Sequence, residues 1–264
     1  MSMLGKRILV TRGEGQAEEF AALIRMRGGI PVLFPTVRLF PPDDPGPLDG
    51  ALARLPSFDW ILFASANAAI YFCARAAEKG ICGPPPGVRV ASVGPGTSRE
   101  LRRLGFPADL TAERHTAEGL AEALRRQGIA GKRFLLPRAR EGRESLPAEI
   151  ARQGGSVETV VVYRNGLPER DERAARDIVE NPPDVCTFAS PSSFRNFFLL
   201  LGEAPAAKVL SVSRIAVIGE VTARAVAERN FEVDIMPEKY TLDGMVEAIA
   251  ARLASQSRDG GSRR

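Results

Sequence analysis

Histidine is almost missing from this sequence. His115 is the single copy, which speaks against a multi-histidine metal site and against a histidine-based catalytic triad. Cysteine is nearly as scarce. Cys73, Cys82 and Cys186 are odd in number and lack CxxC or metal-ligand spacing. They fit neither a disulfide framework nor a zinc site and read as free thiols in a reducing cytoplasm. No apolar run approaches the roughly 18 residues of a membrane helix. The opening MSMLGKRILVTR leads straight into a strand pattern, so neither a signal peptide nor a membrane partner is expected. Aromatic residues are few, and no basic stripe is interleaved with them, so nucleic acid is not an expected partner. The net charge is +4, with arginine far in excess of lysine. Solvated helix faces account for that excess; so would a polyanionic ligand, because guanidinium groups grip carboxylates and phosphates in bidentate fashion.

What the chain does have is a repeat of itself. GKRILVTR (Gly5–Arg12) returns as GKRFLLPR (Gly131–Arg138), and Gly28-Gly29 as Gly154-Gly155. FDWILFAS, ending at Ser65, matches PDVCTFAS, ending at Ser190. RVASVGPGTSR (Arg89–Arg99) matches RIAVIGEVTAR (Arg214–Arg224), and FPADLTAERHTAEGL matches FEVDIMPEKYTLDGM. The repeated unit is far longer than the 20–50 residues of a solenoid repeat, so it is a duplicated domain. With 264 residues, each half can bury its own core. Two similar halves would enclose a cleft, a common place for a ligand.

Short β-branched and aliphatic runs alternate with helical patterns, which predicts an α/β fold with parallel sheets. Strands are expected near Arg7–Thr11, Val32–Val37, Trp60–Ala64, Val88–Val93, Arg133–Leu136, Val157–Tyr163, Val185–Ala189 and Arg214–Ile218, with shorter ones near Ala108–Leu110 and Val233–Ile235. Helices are expected between them, among them Glu14–Arg27, Asn67–Lys79, Glu141–Gln153 and Leu242–Ala254. The strongest linker signal is FPPDDPGPLDG (Phe40–Gly50), and NGLPER (Asn165–Arg170) is its counterpart. Both follow the second strand of their repeat. Cutting at both points gives a discontinuous domain of residues 1–38 plus 170–254, a second domain of residues 41–163, and a disordered tail at 255–264. A contiguous pair split near residue 128 is the simpler alternative.

Each half carries two strand-end elements. One is FAS running into a helix: Ser65 and Asn67 in the first copy, Ser190 and Ser192 in the second. Ser or Asn ahead of a helix is an N-cap. The other is a strand, a glycine, then a threonine opening a helix: Gly94 with Thr97, and Gly219 with Thr222. Glycine lets a backbone approach a ligand, and helix N-termini favour anions. Any one of these is an ordinary capped helix; their multiplicity at the carboxyl edges of parallel strands is what points to a ligand with several anionic groups. Arg12 and Arg138 stand at equivalent strand ends and are candidate carboxylate ligands, whereas Arg143 reads as helix-surface charge. The repeat breaks where Val37-Arg38 becomes Tyr163-Arg164. Tyr163 is either a rim tyrosine over an apolar patch or a proton donor to a leaving hydroxyl. His115 aligns with Tyr240 and reads as a residue flanking a helix start.

Taken together, ILVTR, FASAN, FASPSS, VGPGT, IGEVTAR, the VVVYR strand end and the closing YTLDGMVEAI resemble the uroporphyrinogen-III synthase family from about Lys6 to Ala250. The resemblance implies two similar flavodoxin-like domains joined by a two-stranded linker. It implies a cyclising hydro-lyase acting on hydroxymethylbilane, a linear tetrapyrrole with eight carboxylates, with inversion of ring D and loss of water. It implies no metal and no organic cofactor, a cytoplasmic monomer, and Tyr163 at the family's important tyrosine. Ser65, Thr97, Ser190 and Thr222 fall on its hydroxyl-bearing strand ends. Transient hand-over of substrate from the preceding pathway enzyme stays open. Arg12 followed by Gly13 departs from the Arg-Pro often seen in relatives, and PRAREGRESL is richer in arginine. The rival is a non-catalytic two-lobed cytoplasmic binding protein for a polyanion.

Overall fold

The buried strands explain the architecture. Trp60–Phe63 and Val185–Phe188 are buried at every position, as strands covered by helices on both faces must be. The computed structural model describes residues 3–142 and 144–259. In chain order it runs β1 (Arg7–Val10), α1 (Glu14–Met26), β2 (Ile30–Leu33), β3 (Arg38–Phe40), α2 (Gly46–Ala53), β4 (Trp60–Phe63), α3 (Ala66–Glu78), β5 (Arg89–Ser92), α4 (Pro95–Arg103), β6 (Leu110–Thr111) and α5 (Ala117–Arg126). It continues with β7 (Arg133–Ala139), α6 (Ser145–Arg152), β8 (Ser156–Gly166), α7 (Glu172–Glu180), β9 (Val185–Phe188), α8 (Pro191–Leu201), α9 (Glu203–Val212), β10 (Arg214–Val217), α10 (Glu220–Ala227) and α11 (Leu242–Asp259). These elements form two compact units. One takes the chain up to Arg38 and again from Gly166; the other is Leu39–Asn165.

The discontinuous unit holds a four-stranded sheet in the order β10-β9-β1-β2, parallel throughout. Ile8 and Val10 face a cluster with Phe20, Ile24 and Met245. Leu9, between them, faces a second cluster with Phe188, Phe194 and Phe197. That alternation is the two-residue period of a strand. Pro31 occupies the edge strand β2, where a missing N–H blunts pairing with another chain.

The Leu39–Asn165 unit holds a six-stranded sheet in the order β3-β8-β7-β4-β5-β6. From β8 to β6 the pairing is parallel. Ile61, Phe63 and Leu135 point into one core with Phe72 and Phe106; Trp60, Leu62, Phe134 and Leu136 point into the other with Leu120 and Ile150. Aspartates lock the strand entries. Asp59 accepts the Arg133 amide at 2.8 Å and Asp109 the Val90 amide at 2.7 Å. In the discontinuous unit Asp184 accepts the Arg7 amide and Asp234 the Ile215 amide, both at 2.8 Å.

Several elements differ from the sequence expectation. The strand expected over Val32–Val37 is Ile30–Leu33, with a separate β3 after it. Pro35 lies between them and cannot donate to a ladder. The segment Phe40–Gly50 is not linker throughout, because α2 starts at Gly46 and buries Leu48, Ala51 and Leu52. That is helical spacing, obscured in the sequence by neighbouring prolines and glycines. The helices α7 and α9 had no sequence counterpart. Helix α6 starts at Ser145 rather than Glu141. The strand near Val233–Ile235 shrinks to one bridge, Ala216 with Ile235. The last helix continues past Ser255 to Asp259, so the tail expected at 255–264 is helical over its first residues; residues 260–264, like Arg143, lie outside the described residues. No described helix is long and apolar enough to cross a membrane, and no described group of His, Cys, Asp and Glu could hold a metal ion.

Candidate active site

The carboxyl edge of the six-stranded sheet opens into a recess of about 340 Å³, walled among others by Ser65, His115, Thr116, Arg138, Ser145 and Tyr163. All belong to the Leu39–Asn165 unit. Two capped helix N-termini reach it, beside the uncapped start of α6 at Ser145. Ser65 caps α3 by accepting the Ala68 amide at 3.1 Å, and Thr116 caps α5 by accepting the Gly119 amide at 3.1 Å. Each hydroxyl keeps its proton available to donate. The paired helix dipoles make the recess favourable for an anion. Its volume is at the low end of the ~300–1,000 Å³ of ligand pockets, so it suits one arm of a large ligand.

Tyr163 is the buried phenol of this recess. It is 9% exposed, and its ring stacks on Tyr71 at 5.5 Å between centroids and 27° between planes. Its carbonyl accepts the Arg140 amide at 3.0 Å. No hydrogen bond of its hydroxyl to another described residue is present. Tyr163 thus belongs both to the wall of the recess and to the core cluster of Phe63 and Phe72. Tyr71, which the sequence reading passed over, donates its hydroxyl to the Leu39 carbonyl at 2.9 Å. At the equivalent place in the other unit, Asn196 donates to the Thr36 carbonyl at 2.8 Å. The only sequence signal was that Tyr71 and Asn196 stand at matching positions of the repeat.

Arg138 does reach the recess, but it is folded back on its own loop. It pairs with Glu144 at 2.6 Å and donates to the Gly142 carbonyl. A Cβ at Gly142 would meet the Arg138 side chain, which would have to shift from this position. Asn67 lies half-buried in the first turn of α3. Thr97 is buried in the first turn of α4. Gly94 is extended, with φ 177°, a conformation open to any residue. Its missing side chain serves packing: a Cβ would sit 3.1 Å from the ring of His115. That ring takes the space the sequence reading reserved for ligand backbone contact.

The discontinuous unit repeats these devices. Ser190 caps α8 through a reciprocal capping box with Ser193, and its Oγ lies 2.9 Å from the Ser192 Oγ. Gly219 is extended at φ 178° beneath the ring of Tyr240, which a Cβ would meet at 3.2 Å. Thr222 is buried in the first turn of α10. Arg12 is half-buried just past β1, where desolvation lowers its pKa and Glu19 opposes the shift. Beneath these groups runs a chain of buried hydroxyls. Thr36 donates to the Thr11 carbonyl at 2.9 Å, Thr11 to the Thr187 carbonyl at 2.7 Å, and Thr187 to the Leu9 carbonyl at 2.6 Å. The chain stiffens the strand ends that carry Arg12 and Ser190.

Parallel sheets whose carboxyl edges bear capped helix starts, hydroxyls, arginines and a buried phenol define an α/β protein with polar and basic groups gathered at its strand ends. The chain belongs to the uroporphyrinogen-III synthase family: the family described as Uroporphyrinogen-III synthase HemD matches residues 18–247. A uroporphyrinogen-III synthase of Synechococcus elongatus is 34% identical over 94% of this chain and 95% of its own. One of Chlorobaculum parvum is 31% identical over 94% and 99%. The crystal structure of uroporphyrinogen-III synthetase from Helicobacter pylori 26695 superposes with a TM-score of 0.60 at 16% identity, covering 94% of this chain and 99% of that one. At that identity the likeness shows the fold alone.

Proposed function

We propose that this chain is a uroporphyrinogen-III synthase that closes hydroxymethylbilane to uroporphyrinogen III, with water as the by-product. Membership of the family over most of the chain is the observation that carries this reading. The strand-end chemistry supports it: anion-favouring helix starts, arginines and a buried phenol, without a nucleophile–base pair among the candidates. A pyrrole nitrogen lone pair expels the hydroxyl as it takes up a proton, leaving an azafulvene. Ring D then reacts through its substituted carbon, a spiro intermediate forms, and the ring reattaches inverted. Tyr163 is positioned to donate a hydrogen bond or a proton to the departing oxygen. The helix starts at Ser65, Thr97, Ser190 and Thr222 and the Arg12 guanidinium hold carboxylates, so that the chain stays curled, while Arg138 stays on Glu144 and the Gly142 carbonyl.

The two units derive from one duplicated flavodoxin-like unit. In support, both sheets contain the order 2-1-3-4-5 when counted from the GKR strand, with the bridge at Ile235 as the fifth member in the discontinuous unit and β3 as an added edge strand in the other. The paired aspartates at strand entries, the serine caps and the glycines beneath aromatic rings recur in both. The enzyme works as a cytoplasmic monomer without a cofactor, and substrate hand-over from the preceding enzyme belongs to the same reading. Product isomer analysis decides the main point. Hydroxymethylbilane with the protein should yield the type III isomer, and without it the uninverted type I isomer. Type I alone in both reactions refutes the assignment and leaves a binding protein.

A further inference from the structure

Beside Tyr163 lies a cluster with two cations and one anion. Asp43, in the proline-rich stretch after β3, accepts from Arg140 and, at 2.7 Å, from the Arg164 Nε. Both arginines are tied to the buried phenol through the backbone. The Arg140 amide donates to the Tyr163 carbonyl at 3.0 Å, and Arg164 is its chain neighbour. The Arg164 guanidinium also sits 4.9 Å over the Phe40 ring. All five residues belong to one unit. Side-chain exposures are 58% for Asp43, 49% for Arg140 and 31% for Arg164. Exposed ion pairs are held weakly, so one partner can be exchanged for a better one. The Arg140 hydrogen bond holds the Asp43 carboxyl below its ordinary range, so it is charged at neutral pH. Two guanidinium groups share the one carboxylate of Asp43, and Glu141 also acts on Arg140 through space.

We infer that Asp43 is an internal placeholder for a ligand carboxylate, and that Arg140 and Arg164 form a carboxylate-exchange site next to Tyr163. The inference rests on the proposed function for the identity of the ligand. An incoming carboxylate displaces Asp43 and takes up the bidentate pairing that guanidinium groups prefer. This exchange distinguishes the pair from Arg138, which is held by its own loop.

The test uses the full chain and uroporphyrin III, a macrocyclic octacarboxylate, as a fluorescent probe, alongside KM and kcat for type III formation. In Asp43→Asn the competitor is gone, so the dissociation constant of the probe and KM should fall by about 3-fold. In the double variant Arg140→Gln/Arg164→Gln both should rise by about 10-fold, with kcat changed less than KM. Added salt should shrink both differences. Circular dichroism checks that the variants fold, which their exposure favours. If Asp43→Asn weakens the probe as the double variant does, Asp43 merely positions the arginines and the placeholder idea is overturned. Unchanged binding in both variants, or no binding by the wild-type protein, overturns the exchange site itself. Failure of the wild type to make type III product would instead count against the proposed function.

Discussion

Replacing Tyr163 by phenylalanine isolates one oxygen atom. The ring packs against Tyr71 and the residue is 9% exposed, so phenylalanine fills the same space. Since the hydroxyl makes no hydrogen bond to another described residue, no internal bond is lost, and folding stability should change by less than about 1 kcal/mol. The rate is a different matter. Losing one positioned donor costs roughly 10-fold to 1000-fold. At about 1.36 kcal/mol per decade, that is about 1.4 to 4 kcal/mol of transition-state stabilisation. The effect on turnover is therefore larger than the effect on folding, and the two separate cleanly. Tyr163→Ala is the contrast. It empties a buried aromatic site and should cost about 3–5 kcal/mol of stability. The assay is the initial rate of type III product with chromatographic separation of the isomers, and circular dichroism with thermal melts for folding. Substrate that the variant leaves unprocessed should drift to the type I isomer. A folded Tyr163→Phe variant that matches the wild-type rate would refute the reasoning and leave Tyr163 as packing alone.

Three further outcomes follow from the packing. Burial pushes the Cys73 and Cys186 thiols up to about 12, whereas Cys82 is exposed; a thiol reagent at pH 8 should therefore label Cys82 alone in the native protein and all three cysteines in denaturant. Thr187→Val leaves the Leu9 carbonyl short of the donor it has at 2.6 Å and should cost about 1–3 kcal/mol in urea unfolding, while Ser57→Ala, at an exposed turn, should be nearly neutral. The Asp184 carboxyl is partly desolvated, which raises its pKa, but Lys6 and the Arg7 amide outweigh this and hold it below the ordinary range; its stabilisation is present above the unfolded value near ~3.9 and is lost as pH falls through the folded value. Asp184→Asn should therefore flatten the acid limb of the stability profile, and an unchanged limb would remove Asp184 from it.

Much of the architecture was legible because it depends on local pattern. Apolar β-branched runs marked β1, β4, β9 and β10 to within a residue or two, since a strand buried on both faces must be apolar throughout. The repeat announced paired strand ends, and Ser65 and Ser190 proved to be N-caps because a serine ahead of a helix has little else to bond. Helices α2, α7 and α9 were not legible. Their prolines, glycines and charges imitate loop composition, and only packing of Leu48, Ala51 and Leu52 makes α2 a helix. The same limit applies to the site.

Sequence by itself determined which chemistries were available: hydroxyls and arginines at strand ends, a single histidine, and a phenol at the strand end where Val37 becomes Tyr163. Tertiary structure alone decided which of these groups are committed. Arg138 is turned onto Glu144, the space at Gly94 and Gly219 is filled by rings, and Tyr71 stacks on Tyr163. Asp43 meets Arg140 and Arg164 across 97 and 121 positions of chain. Such pairings carry no periodicity, because charge attraction acts through space whereas sequence pattern records only neighbours along the chain.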